Sequence, residues 1–170
     1  TADAALIEAL KSLEASGLDL SVSLDAKDVL ALQQADFSFA AADQITFDLS
    51  PSGATLVAVD GHTGLNGTGT HLSTSLADLQ KLGVDAVTGI EALGNHLQVD
   101  LGVGFNESGS FVKFDDSADI TLRLADNQDL SSISDIAEAL KASGIDHISM
   151  GWGNLLDEDQ AALNALSNVG

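Results

Sequence analysis

Near the start of the chain Leu6, Ile7, Leu10 and Leu13 fall on one helical stripe. The stripe ends at Gly17, and the period then shortens to two. Leu18, Leu20, Val22 and Leu24 alternate with Asp19, Ser21 and Ser23, which predicts a strand with one apolar face. The same succession returns twice. "EASGLDLSV" begins at Glu14, "QKLGVDAVTG" at Gln80 and "KASGIDHISMGWG" at Lys141. Each is a helical run, a glycine, an aliphatic residue, an aspartate and an apolar-rich stretch. Leu76, Leu79 and Leu82 precede Gly83, and Ile133, Ile136, Ala137 and Leu140 precede Gly144. A glycine ends a helix cheaply because it adopts the left-handed conformation without a Cβ clash. The expectation is that Gly17, Gly83 and Gly144 each stop a helix and lead into a strand, with the aspartate facing solvent or capping the turn. Ser132 and Asp135 form an expected N-cap pair for the last of these helices.

Further segments extend the pattern. Asp25 to Gln33 reads as a short helix carrying Val29, Leu30 and Leu32. Ile45, Phe47 and Leu49 alternate, as do Leu97, Val99, Leu101, Val103 and Phe105, and again Ile120, Leu122 and Leu124. "ATLVAVDG" from Ala54 is apolar on both faces, as in a buried strand. Asp157 opens a final helical pattern with Gln160 in the capping-box position and Leu163 and Leu166 on its stripe. The fold class expected is α+β: repeated helix–Gly–strand units, solenoid-like or layered, with β-rich segments between them. The chain reads as a single domain or one segment of an array, with approximate units 1–73, 74–130 and 131–170. An ordinary α+β domain with coincidental glycine stops is the alternative. The opening "TADAALIEAL" and the closing "SNVG" suggest a slice of a longer repeat array.

Charge sharpens the picture. There are 26 acids against 6 bases, for a net charge of −20, and the excess is mostly aspartate. Such a field repels nucleic acid and anionic membrane surfaces and attracts divalent cations. There is no cysteine, so neither disulfides nor thiolate zinc sites can form. No apolar run is long enough to span a membrane. Acidic halophile cytoplasm could also produce this balance, although it usually enriches glutamate as well.

The helix–Gly–(Val/Ile/Leu)–Asp phrase, set in an acidic cysteine-free chain, resembles the repeat regions of large secreted bacterial surface proteins. These are the adhesin-like and surface-layer-like proteins exported by type I systems. The resemblance implies an extracellular or cell-surface location, a structural or adhesive role and neighbouring repeats or copies as partners. The Gly-Gly-x-Gly-x-Asp nonapeptide of the calcium-binding toxin repeats is absent, so no ligand carries over from it.

Candidate chemistry is sparse. Asp115, Asp116 and Asp119 form one acidic cluster, and Asp126, Asn127 and Asp129 another, on either side of "ITLRLA". Short Asp/Asn loops at strand ends can converge oxygens on calcium, and these six residues are the expected metal ligands, with calcium as cofactor. Solvated acidic loops are the simpler account of them. His62 and His71 flank "HTGLNGTGTH", whose spacing matches no strong metal signature and which lacks the lysine of a phosphate cradle. There is no nucleophile elbow, and one Trp with no Tyr argues against a carbohydrate-cleaving cleft. The expectation is a structural, non-enzymatic module, calcium-stabilised. The alternative is a calcium-dependent module that binds surface carbohydrate.

Overall fold

The computed structural model describes residues 2–50, 70–125 and 130–150. The segments 54–61 and 157–166, together with His62, Trp152, Asp126, Asn127 and Asp129, lie outside the described residues. Helix α1 (Ala2–Glu14) is followed by β1 (Ser21–Leu24), α2 (Ala26–Gln34), β2 (Gln44–Asp48) and β3 (Thr70–His71). Then come α3 (Leu76–Leu82), β4 (Ala86–Thr88), a 3-10 turn (Ile90–Leu93) and β5 (His96–Asp100). The remainder comprises β6 (Lys113–Phe114), β7 (Asp119–Leu124), α4 (Leu130–Asp135), α5 (Ala137–Ala142) and β8 (His147–Met150).

Among the described residues the strands form two four-stranded sheets, β1-β2-β4-β6 and β3-β5-β7-β8, in which every neighbouring pair is parallel. Parallel pairing follows from the connections. Each strand is separated from its partner by a helix or a long segment that returns the chain to its starting end. The period-two expectation holds at β2, β5 and β7, where Ile45, Phe47, Leu97, Val99, Ile120 and Leu122 are buried and alternate with more exposed polar residues. One apolar cluster joins these positions to Leu32, Leu79, Leu82 and Leu140 of the helices. Each such Leu contributes about 1.5–3 kcal/mol by leaving water.

Local chemistry sets the helix ends. Asp25 caps α2, accepting from the N–H of Lys27 at 2.8 Å and of Asp28 at 3.0 Å. Ser75 and Asp78 form a reciprocal capping box on α3. Gly17, Gly83 and Gly144 all take positive φ, at 70°, 91° and 90°, and follow α1, α3 and α5. Gly17 and Gly83 lead into the sheet of β1 and β4, whereas Gly144 leads into the other sheet at β8.

Three expectations need correction. Ser132 lies inside α4 and not at its N-cap, because the helix already begins at Leu130, whose side chain is buried. The apolar face expected to run from Leu97 to Phe105 stops at Leu101. Gly102 and Gly104 turn the chain with φ of 82° and 83°, and Val103 stands fully in solvent. At the first phrase, Leu18 is not on a buried strand face: β1 begins only at Ser21, and Leu18 is 65 % exposed.

The aspartate of the phrase does more than face water. Asp85 Oδ2 accepts the N–H of Ile45 at 2.7 Å, while its own N–H donates to the Ile45 carbonyl at 2.9 Å. Asp146 treats Ile120 identically, at 2.9 Å and 3.0 Å. Asp43 supplies the same joint to β1: its Oδ1 takes the Leu20 N–H at 2.8 Å, and the neighbouring Gln44 N–H donates to the Leu20 carbonyl. In the β1–β2, β2–β4 and β7–β8 pairs a carboxylate just ahead of the later strand thus closes the backbone of the earlier one.

Candidate functional site

The outward face of the second sheet collects the polar residues that alternate with its core. Register places His96 beside Asp119, Asp100 beside Arg123, and Gln98 between His71 and Thr121, which in turn neighbours His147. The side chains pair across strands. His96 Nδ1 lies 3.0 Å from Asp119 Oδ2, and His147 Nε2 lies 3.4 Å from Asp119 Oδ1. His71 Nε2 is 3.1 Å from Asp100 Oδ2, and Arg123 Nε is 3.7 Å from Asp100 Oδ1. Asp119 therefore stands between two imidazoles and Asp100 between an imidazole and a guanidinium. Asp119 Oδ1 is itself buried and makes no hydrogen bond; the His147 contact has ion-pair distance without hydrogen-bond geometry. Each carboxylate can orient an imidazole on the face of the sheet.

At the C-terminal ends of β5 and β7 the face opens into a cleft of about 720 Å³, lined by Asp100, Gly102, Val103, Phe105, Glu107 and Arg123 among others. Crevices beyond the carboxyl ends of parallel strands are common ligand sites. Gly102 makes the close packing beneath it possible: a Cβ there would sit 2.5 Å from the Cβ of Ser75 and 3.0 Å from that of Ala77. The cleft wall offers one cation, two acids and the edge of Phe105, which packs against Phe111 with ring centres 5.6 Å apart.

Of the six residues expected to bind calcium, Asp115, Asp116 and Asp119 are among the described ones. Asp115 and Asp116 occupy the turn between β6 and β7, where Asp115 Oδ1 accepts from the backbone N–H and hydroxyl of Ser117 at 3.1 Å and 2.9 Å. Asp119 opens β7 and is engaged by His96 and His147. Among the described residues no group of three or more His, Asp or Glu side chains has the geometry to hold a metal ion. The histidine–aspartate pairs had no mark in the sequence, because only strand register brings residues so far apart together. A signal did exist for the strand joints. Phe39 and Phe114 each stand six residues before an Ile-Thr pair, Ile45-Thr46 and Ile120-Thr121, and each packs on the glycine of a later phrase.

A carboxyl pair joins Glu14, the last residue of α1, to Asp43, just ahead of β2. Asp43 is 6 % exposed, and the N–H groups of Leu20 and Ala40 (2.8 Å and 3.0 Å) hold its carboxyl below the usual range. Half-buried Glu14 is pushed up, by burial first and then by the neighbouring Asp43, and its Oε1 has no hydrogen-bond partner. The signs oppose. Asp43 contributes stability above the ordinary aspartate range and loses it as pH falls through its depressed value. Glu14 contributes below the ordinary glutamate range and loses it as pH rises through its raised value. Glu14→Gln, which resembles the protonated acid, should melt at the same temperature as the wild type near pH 4 and higher at pH 7. Thermal melts at the two pH values check this.

No family model, curated protein or solved structure matches the chain. No helix among the described residues is long and apolar enough to cross a membrane.

Proposed function

We propose that the chain is a structural module of a larger bacterial surface or filament protein, built from helix–Gly–strand units that stack through their strand edges. The observation that carries this reading is the recurring joint in which Asp43, Asp85 and Asp146 close onto Leu20, Ile45 and Ile120. A joint used repeatedly within one chain suits extension by further units, since each unit buries its apolar side against the next. The aspartate-rich, cysteine-free composition supports an extracellular setting and stabilisation by calcium. A second reading, binding of surface carbohydrate, draws on the cleft at Asp100, Phe105, Glu107 and Arg123.

Two measurements on the whole chain test the first reading. A net charge of −20 opposes association at low ionic strength. Light scattering should therefore show assembly growing with salt, and more with millimolar Ca²⁺ than with Na⁺ at equal ionic strength. Calcium at a hundredfold excess over its dissociation constant would add about 2.7 kcal/mol of stability. A strict monomer in every condition overturns the stacking reading, and equal melting shifts in the two salts remove calcium from it.

A further inference from the structure

The three copies of the phrase are not in equal surroundings. Gly83 lies against Phe39, where an added Cβ would come within 3.2 Å of the Phe39 Cβ, and Gly144 lies against Phe114 at 3.4 Å by the same measure. Both phenylalanine N–H groups donate to the carbonyl just before the glycine: Phe39 to Leu82 at 2.9 Å and Phe114 to Ser143 at 2.8 Å. The next residue, Val84 or Ile145, is 5 % or 1 % exposed, and the following aspartate holds an isoleucine N–H. Gly17, Leu18 and Asp19 present the same sequence with none of this. Among the described residues nothing lies within 4 Å of a Cβ at Gly17, Leu18 is 65 % exposed, and Asp19 is exposed. Among the described residues β1 pairs with β2 alone, so this corner continues the β1-β2-β4-β6 ladder outward. Leu13, 44 % exposed, adds apolar surface beside it.

We infer that the Gly17–Leu18–Asp19 corner, with the edge of β1 that no described strand pairs, is a docking site for an extended segment of another chain, an aromatic residue followed six positions later by a β-branched one. The inference deepens the stacking reading and rests on it. The occupant is specified by the two intramolecular examples of the same interface. As Phe39 and Phe114 do at Gly83 and Gly144, its aromatic residue lays backbone and Cβ against Gly17, and that residue's backbone N–H donates to the carbonyl of Ser16. The N–H of its β-branched residue donates to the Asp19 carboxylate, after which it runs parallel to β1. Binding of this kind adds a strand to a sheet edge, with main-chain hydrogen bonds supplying affinity and the Asp19 carboxylate marking the register as Asp85 and Asp146 do. Within this chain both segments that fit, Phe39–Ile45 and Phe114–Ile120, already face Gly83–Asp85 and Gly144–Asp146. The occupant therefore comes from a segment whose own edge is free.

The test uses the full chain and a fluorescein-labelled peptide with the sequence of residues 112–125. Anisotropy is read in about 0.5 M NaCl, where screening shortens to roughly 4 Å and like-charge repulsion is suppressed. The expected result is saturable binding, weakened at least fivefold by Leu18→Asp, by Asp19→Ala, and by alanine in place of the peptide's phenylalanine. Asp85→Ala, which alters an occupied joint, should leave binding unchanged. Leu18 and Asp19 are exposed, so both variants keep the fold, as matching circular dichroism would verify. No saturable binding up to millimolar peptide, or equal binding by Leu18→Asp and the wild type, overturns the inference. Assembly in the scattering experiment that ignores Leu18→Asp retains the stacking reading and loses this corner. Peptide binding at the corner by a chain that never assembles does the reverse.

Discussion

Ile120→Ala should lower unfolding stability by about 2–5 kcal/mol, read as a fall in the denaturant midpoint at unchanged slope. Ile120 is fully buried at 0 % exposure, in the strand that lies between β5 and β8. Its backbone is gripped from one side by Asp146 and paired with Leu97 on the other. The surroundings therefore cannot collapse around the lost atoms, and the cavity cost adds to the transfer cost. Ile148→Ala is the comparison. Ile148 faces Leu122 across β7–β8 but is only half-buried, so its replacement should cost less than half as much. Equal losses at the two positions would mean that β8 is covered more fully than its described neighbours account for.

Gly83→Ala should cost about 2–3 kcal/mol, and Gly17→Ala only about 1–2 kcal/mol. Both glycines hold left-handed φ, which charges an L-residue about 1–2 kcal/mol in either place. At Gly83 the new methyl would also press on the Phe39 Cβ at 3.2 Å and carbonyl oxygen at 3.3 Å, and that contact is backbone and cannot swing away. Gly17 has open space instead. Urea unfolding of the two variants measures the difference. Identical losses would show that backbone strain alone matters and that the Phe39 contact relaxes.

The parts of the fold legible in the sequence were those governed by nearest neighbours. The left-handed glycines, the Asp25 cap and the alternation through Ile45, Leu97 and Ile120 are local consequences of sterics and of one buried face. Ser132 misled because a serine within a helix looks like a cap until the buried Leu130 before it is seen to belong to the same helix. Val103 misled because alternation takes no account of Gly102 and Gly104 turning the strand away from the core. The division into two sheets was not legible at all, since periodicity says which face of a strand is buried but not which strand lies next to it. The polar face suffers from the same blindness. Asp119 read as one member of an acidic loop, yet pairing with β5 and β8 gives it two histidines for company. Asp115, its neighbour in that reading, spends its carboxylate on Ser117 instead.

The all-parallel order also fixes how the molecule can be made. No strand pairs with one that a tight turn could deliver: Ser21 meets Gln44, Thr46 meets Ala86, His96 meets Asp119 and Thr121 meets His147. Each pairing must close a loop of more than twenty residues before any ladder bond forms, and the entropy of closure comes ahead of the reward. On a ribosome, among the described strands β2 has only β1 to pair with until α3 and β4 have emerged. During that interval the edge of β2 and the apolar face of Ile45 and Phe47 stand open, which is the period in which a nascent chain is most exposed to wrong partners. The Asp85 carboxylate arrives just ahead of β4 and fixes the alignment at Ile45, so the strand that closes this gap carries its own register mark at its leading end.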